Sequence, residues 1–175
     1  KVNVDTPQIF SLRLRVPAWT QEKYELRVNG ERVDGTHVDG YVRVQREWQA
    51  GDVVDYRLAM HPRRVYAHPR VQENLGRMVL AYGPMLYCLE SADNSGNLDQ
   101  RRILREALID PVFQPDLMGG VVTLQGPGME VGYDPDSPLY QEQPYHFYSR
   151  HFTAVPFAYW DNREEGDMQL WIKEC

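Results

Sequence analysis

The amino-acid sequence predicts an all-β fold, an antiparallel β-sandwich of the jelly-roll type with little or no helix. Apolar and polar residues alternate with period two through the first half, and glycine-containing turns separate short β-prone runs. The second half holds runs that are apolar on both strand faces. A chain of 175 residues with 42% hydrophobic residues can bury a sizeable core, so intrinsic disorder is excluded.

Strands and tight turns account for the first half of the chain. Apolar side chains occupy every second position of residues 10–16, which predicts a strand with one buried face. Asn29-Gly30 lies between two β-prone runs, and both residues tolerate a positive φ angle, so a two-residue hairpin is expected there. Asp39-Gly40 opens the next β-prone run. Further strands are expected over residues 40–45 and 53–60.

The second half begins with a pair of strongly apolar segments. Residues 78–90 are apolar on both strand faces, which predicts strands that are central in a sheet or covered by another sheet. Gly83-Pro84 divides this run in two. More strands are expected over residues 119–126, 151–160 and 168–172, with Pro156 at an edge or a bend.

Only one segment shows helical spacing. Leu104 and Leu108 lie four residues apart within residues 97–109, which predicts a helix that ends before Asp110-Pro111.

Charge is distributed unevenly and indicates two portions, residues 1–66 and 67–175. Residues 1–77 hold 13 Lys and Arg against 10 Asp and Glu, whereas residues 78–175 hold 6 against 15. The proline- and arginine-rich segment 61–77 is expected to be an edge strand or a crossing connection. We expect a first sandwich portion that is truncated at its N-terminus, a second portion packed against it, and a longer parent protein.

Composition excludes several classes of partner. The formal net charge of −6 repels nucleic acid and anionic lipid. No apolar run approaches the roughly 20 residues that a membrane-spanning helix needs, so no membrane partner is expected. Residues 1–8 lack a signal-peptide pattern, and without a targeting signal in this fragment the cytoplasm is favoured for the parent protein.

The side chains that could carry chemistry do not form a recognisable reaction centre. The carboxylates of residues 161–167 fit a solvated turn better than a glycosidase pair. His146 and His151 lie five apart and would point to opposite faces of a strand. Cys88 lies in an apolar run, where burial raises the pKa of a thiol, and no partner can be assigned to activate Cys175. We therefore predict no catalytic, cofactor-binding or metal-binding residue and no cofactor in this chain.

Aromatic side chains are the remaining candidates for binding. Trp19, Trp48 and Trp160 could stack on sugar rings if their faces are exposed. The competing interpretation is that each of them packs in the core or at the seam between two sheets.

Five long segments carry a family resemblance: residues 10–19, 40–60, 63–90, 116–126 and 155–174. They resemble the C-terminal region of the β-L-arabinofuranosidase family, glycoside hydrolase family 127. The central and the closing segments are long and idiosyncratic, and together the five cover most of the chain.

The resemblance implies a parent enzyme in which an (α/α) helical barrel carries catalysis and β-sandwich domains follow it. It also implies a zinc-held cysteine nucleophile and a glutamate acid/base within that barrel, outside this chain, so Cys88 receives no such role. The chain departs from the usual family pattern at Asp161, Glu164 and Glu165, where the loop is commonly less acidic.

Two functional hypotheses follow. In the first, the chain is a non-catalytic accessory region that supports the catalytic barrel or a subunit interface, with the barrel and a second copy as partners. In the alternative, it is a carbohydrate-binding module that binds a glycan through exposed aromatic residues.

Overall fold

The computed structural model describes residues 1–175 and confirms the all-β class. Fifteen strands are joined by turns and by four 3₁₀ helices of three residues each. None of the helical segments has the length and apolar character that a membrane crossing requires. The chain divides into two units, Lys1–His61 and Pro62–Cys175.

The first unit contains six strands in two sheets. They are β1 (Gln8–Arg15), β2 (Tyr24–Val28), β3 (Glu31–Arg32), β4 (Thr36–Val38), β5 (Tyr41–Trp48) and β6 (Val54–Leu58). One sheet has the order β1-β5-β4 and the other β3-β2-β6, and every pair is antiparallel.

Two tight hairpins set the register of these sheets. Asn29 and Gly30 join β2 to β3 with φ angles of 53° and 86°, and Asp39 and Gly40 join β4 to β5 with 50° and 76°. Both pairs lie in the left-handed region that two-residue hairpin turns require. The predicted hairpin at Asn29-Gly30 is confirmed.

Both sheets contribute to one core in the first unit. Val42, Val44 and Trp48 of β5 pack in one hydrophobic cluster with Leu26 and Val28 of β2. All five side chains are buried, so the two sheets face each other across a dry layer.

The second unit contains nine strands in one sheet. They are β7 (Pro62–Val65), β8 (Arg77–Tyr82), β9 (Met85–Glu90), β10 (Arg101–Ile103), β11 (Asp110–Gln114), β12 (Val121–Gly132), β13 (His146–Pro156), β14 (Met168–Gln169) and β15 (Ile172–Glu174).

Six of these strands pair in a closed circuit, in the order β8, β9, β13, β12, β10 and β15, after which β15 pairs with β8. Only the β10–β15 pair is parallel. The core cluster takes side chains from all six strands, among them Leu80, Tyr87, Leu124, Phe152 and Ile172. Closure leaves the paired edges of the circuit without free backbone groups.

The apolar segment of residues 78–90 forms β8 and β9. Each of these strands has paired neighbours on both sides, as predicted for central strands. Residues 78–81 and 87–90 are buried on both faces of their strands. Gly83 and Pro84 form the turn between β8 and β9.

The predicted helix over residues 97–109 is wrong. The segment contains a single 3₁₀ turn, Leu98–Gln100, followed by strand β10, which pairs with both β12 and β15. The Arg64 guanidinium donates hydrogen bonds to the carbonyl oxygens of Leu104 and Ala107, at 3.0 and 2.9 Å. Backbone groups that a helix would have paired internally are therefore hydrogen-bonded to other strands and to Arg64.

The proline- and arginine-rich junction contains an edge strand, which is one of the two structures predicted for it. β7 pairs only with β8, at the end of the sheet. Pro156 is the last residue of β13, and the 3₁₀ turn Phe157–Tyr159 follows it, so the predicted bend at this proline is confirmed.

Candidate functional site

The three tryptophans considered for sugar stacking have different surroundings. Trp48 is fully buried, and its indole Nε1–H donates to the carbonyl oxygen of Phe10 at 3.0 Å. Because its side chain has no exposed surface, Trp48 fits the competing interpretation of a core residue. Trp19 is half-buried on a 3₁₀ turn of the first unit. Trp160 belongs to the second unit, is 40% exposed and stacks on Phe157 with 6.4 Å between ring centroids.

A partly buried ion cluster holds the loop that presents Trp160. Arg163 donates to both carboxylate oxygens of Asp93, at 2.9 and 2.6 Å, and also to Glu90. Glu90 in turn accepts a hydrogen bond from the backbone N–H of Asp161 at 3.0 Å. The hydrogen bonds to Asp93 are the largest cause that raises the pKa of Arg163 above its ordinary value. The cluster thus ties the loop after β13 to strand β9 and the turn that follows it.

The acidic side chains of that loop make no hydrogen bond within this cluster. Asp161, Glu164, Glu165 and Asp167 have exposed side chains, as the solvated-turn interpretation expects. Arg163 was not among the candidates identified from the sequence, where its only signal is that it is the single cation of residues 161–167.

A second buried ion cluster centres on Glu174. Its carboxylate accepts from Arg64 Nη1 at 2.8 Å, Arg105 Nε at 3.0 Å and the Tyr66 hydroxyl at 2.9 Å. Burial alone acts to raise the pKa of this carboxyl, but the three hydrogen bonds outweigh burial and leave the pKa below its ordinary value. The arrangement joins both ends of the second unit, because Arg64 lies on β7 and Glu174 on β15.

Thiols and imidazoles do not assemble a reactive site among residues 1–175. Cys88 is fully buried, and burial raises the pKa of its thiol to about 12. Cys175 is exposed at the end of the chain. His146 and His151 are both exposed on β13, an odd number of residues apart. No group of three His, Cys, Asp or Glu side chains is placed to hold a metal ion.

The first unit has an open strand edge. β1 lies at the end of its sheet, and the N–H of Val16 donates to Gly40 O, which continues the β1–β5 ladder. Because the direction of hydrogen bonding alternates along an antiparallel strand, Ser11 and Arg13 direct their backbone groups away from β5. On the exposed face Arg13 lies directly opposite Arg43, a like-charge pairing that is destabilising without a counter-ion.

The core face of β1 is also incompletely covered. Phe10, Leu12 and Leu14 pack against the core cluster of the first unit but remain half-buried.

Tyrosines line a groove on the second unit. The loop between β12 and β13 encloses a space of about 650 Å³, which we name the tyrosine groove and define by residues 133–145 without Asp136. Tyr133, Tyr140 and Tyr145 are 65, 93 and 56% exposed. These three tyrosines were not among the aromatic candidates identified from the sequence, although tyrosine and proline are frequent between residues 133 and 145.

Comparison with known proteins gives matches over nearly the whole chain. Residues 62–173 match the profile of the glycoside hydrolase family 127 C-terminal domain, and residues 1–60 match the β-L-arabinofuranosidase GH127 middle domain. The two matches meet where the structure divides into its units.

Individual relatives agree with these profiles. The chain is 34% identical over 165 residues to the non-reducing end β-L-arabinofuranosidase of Bifidobacterium longum subsp. longum, a match that covers 90% of this chain and 25% of that protein. The crystal structure of Ara127N, a GH127 β-L-arabinofuranosidase from Geobacillus stearothermophilus T6, superposes with a TM-score of 0.93 at 36% identity, covering 99% of this chain and 28% of that one. The GH127 β-arabinofuranosidase BT3674 gives a TM-score of 0.87 at 28% identity over 97% of this chain and 28% of that one.

The chain therefore spans about a quarter of the length of the curated relative that it matches.

Proposed function

The chain belongs to glycoside hydrolase family 127, and from this membership we propose that it is a non-catalytic accessory region of a glycoside hydrolase that acts on β-L-arabinofuranosides. Its task is to support the catalytic domain of the parent protein by docking against it. The whole protein's activity belongs to polypeptide outside residues 1–175.

The open edge of β1 carries this proposal. An eight-residue edge strand with unpaired backbone groups is a site for strand addition or aggregation unless something covers it. The half-buried side chains of Phe10, Leu12 and Leu14 lie beside this edge, so a covering segment would bury apolar surface and pair backbone groups together. The facing guanidinium groups of Arg13 and Arg43 favour a partner that bears carboxylates.

Residues 1–175 do not fit the zinc–cysteine chemistry that the family resemblance implies. The Cys88 thiol is buried with a pKa of about 12, and no set of three metal-ligating side chains is assembled. We place the zinc, the nucleophile and the acid/base in the remainder of the parent polypeptide.

The test is reconstitution of the parent protein from two pieces. This chain and the remainder of the parent are produced separately, mixed, and assayed for association and for hydrolysis of an aryl β-L-arabinofuranoside. We expect no turnover by this chain alone and a stable complex with the remainder. Turnover by the isolated chain that disappears when its own residues are changed would refute the proposal, as would failure of the two pieces to associate.

A backbone variant makes the test specific for β1. Ser11→Pro removes an N–H that faces the open edge and leaves the N–H groups that pair with β5 in place, since proline is tolerated on edge strands. We expect this variant to bind the remainder at least tenfold more weakly than the unchanged chain. Ser11→Ala, which keeps the N–H, is the matched control and should bind like the unchanged chain.

A carbohydrate-binding role is the second candidate function. It is favoured by the exposure of Trp160, whose loop is anchored by Arg163 and whose ring is stacked on Phe157. Titration with neutral oligosaccharides, followed by tryptophan fluorescence, should then give saturable quenching that Trp160→Ala abolishes. If the unchanged chain shows no quenching, or if Trp160→Ala is quenched equally, Trp160 is not a sugar-binding residue.

A further inference from the structure

We propose that the tyrosine groove of the second unit binds a neutral saccharide chain. The inference rests on the proposed function in one respect, namely that the parent enzyme meets glycans, and it is otherwise independent of the docking role of β1. The tyrosine groove contains none of the tryptophans Trp19, Trp48 and Trp160.

The aromatic side chains of the groove offer the apolar faces that sugars require. Tyr133, Tyr140 and Tyr145 all line the groove, and each leaves more than half of its surface in solvent. The C–H faces of pyranose and furanose rings pack against such π-systems, and exposed tyrosine loses little conformational entropy on binding because it has only two χ angles. A space of about 650 Å³ also lies within the range of roughly 300–1,000 Å³ that ligand sites occupy.

The polar side chains of the groove select a neutral, hydroxyl-rich ligand. Asp134 and Glu142 supply carboxylates that accept hydrogen bonds from hydroxyl groups, and Gln141 and Gln143 supply amides that both donate and accept. The lining includes no Lys, Arg or His side chain. Two carboxylates without a cation disfavour uronic acids, sulfated sugars and phosphate esters, because these would meet like charge.

The loop is held in shape before any ligand arrives. Pro135, Pro138 and Pro144 restrict its φ angles, and the carbonyl oxygen of Asp134 accepts from both the N–H and the hydroxyl of Ser137, at 2.9 and 2.7 Å. A groove with fewer conformations to lose binds more tightly for the same contacts.

The base of the loop is braced by the two long strands that carry it. β12 and β13 remain paired out to Gly132 and His146, immediately beside the groove. Arg150 of β13 donates through Nε to Glu130 of β12 at 2.7 Å, and Tyr145, which immediately precedes β13, packs edge-on against Phe147 with 5.7 Å between ring centroids. The tyrosines therefore lie in the loop that connects two paired strands.

The main competing occupant is another protein surface. Leu139 is 96% exposed within the groove, and exposed aliphatic side chains are common where proteins dock. The four carboxylate and amide side chains of the lining favour the saccharide, because a protein contact of this size would leave several of them desolvated and unpaired.

The experiment measures saccharide binding to the full-length parent protein by calorimetry. The probes are linear α-1,5-arabinohexaose and xylohexaose, which are neutral, and an oligogalacturonate of the same length, which is anionic. We expect saturable binding of at least one neutral probe, at least tenfold weaker binding by Tyr140→Ala, and binding within threefold of the unchanged protein by Tyr140→Phe. Tyr41→Ala, which removes an exposed tyrosine of the first unit, is the matched control and should bind like the unchanged protein.

Several outcomes would overturn the inference. These are the absence of saturable binding of both neutral probes, equal binding by Tyr140→Ala and the unchanged protein, and tighter binding of the anionic probe. Sedimentation of the same samples identifies the competing occupant: self-association that Tyr140→Ala abolishes would assign the groove to a protein contact. Hydrolysis of a small aryl β-L-arabinofuranoside by the unchanged parent tests the proposed function separately, so the two proposals can fail independently.

Discussion

Single charged residues hold together segments that lie far apart in the sequence. Arg163 reaches Glu90 and Asp93, which lie about seventy residues earlier, and Arg64 reaches Glu174, which lies 110 residues later. Charges that are taken out of water in this way must be paired, because an unpaired buried charge is far more costly than a lost surface ion pair.

Removal of the Arg163 guanidinium should destabilise the second unit. Arg163→Met leaves Glu90 and Asp93 without their cation, and we expect the free energy of unfolding to fall by about 3–5 kcal/mol, as for other broken buried pairs. Denaturant unfolding measures this change. Arg57→Met is the control, since its ion pair with Asp55 is exposed and should contribute less than about 1 kcal/mol. Equal losses in the free energy of unfolding would show that the Arg163 ion pairs stabilise the fold no more than an exposed ion pair does.

Glu174 should make stability depend on pH in the acid range. The folded-state pKa of this carboxyl is below its ordinary value, so its contribution is present above the pKa of the unfolded chain and is lost as pH falls through the folded pKa. At neutral pH we expect Glu174→Gln to lower the free energy of unfolding by about 1–3 kcal/mol. Melting curves of both proteins between pH 7 and pH 3 should converge as pH falls. A difference that stays constant over this range would contradict the assignment.

At the scale of elements, strand β12 depends on glycines that allow a close approach of backbones. A Cβ atom at Gly126 would lie 2.6 Å from Leu108 O, and one at Gly128 would lie 2.8 Å from Arg102 O. Backbone oxygen atoms cannot move aside as a flexible side chain can. The Gly126-Pro127-Gly128 sequence, which does not have the spacing of a nucleotide-binding loop, thus has a packing role within the closed circuit.

Gly128→Ala should therefore disturb the pairing of β12 with β10. We expect a loss of about 1–3 kcal/mol in the free energy of unfolding, the usual cost of overpacking in a well-packed interior. Pro127→Ala is the control on the same strand, because Pro127 is exposed and its change should have little effect. The measurement is denaturant unfolding, and a neutral Gly128→Ala variant would mean that the strands can separate without cost.

At the scale of the whole molecule, the two units manage their strand edges differently. In the second unit six strands pair in a closed circuit, and the strands with one partner, β7, β11 and β14, have at most five residues, whereas in the first unit the eight-residue β1 has one partner. Closure removes free backbone groups, and an open edge invites a further strand. Because β1 is the longest strand with a single partner, its edge is the place where we expect the rest of the parent protein to dock.

The chain should be insensitive to metal removal. Each unit has a hydrophobic core cluster, and no three His, Cys, Asp or Glu side chains are placed to hold a metal ion. We expect EDTA to leave the melting temperature of the isolated chain unchanged. A lowered melting temperature in EDTA that zinc restores would show that these residues do bind a metal.

The sequence determined the features that depend on neighbouring residues. Asn29-Gly30 fixed a hairpin because both residues accept a positive φ, and period-two alternation located strands such as β1 because side chains alternate across a strand. The apolar pattern of residues 78–90 predicted two buried strands. The five segments that resemble glycoside hydrolase family 127 were sufficient to suggest the family.

Tertiary structure decided everything that joins distant parts of the chain. Leu104 and Leu108 have the spacing of a helix, but the pairing of β10 with β12 and β15 overrode it. The burial of Trp48 and the partners of Arg163 likewise depend on residues that lie far away in the sequence. Local sequence sets the backbone preferences of a few residues at a time, whereas strand pairing, burial and ion partners are selected by the free energy of the packed whole.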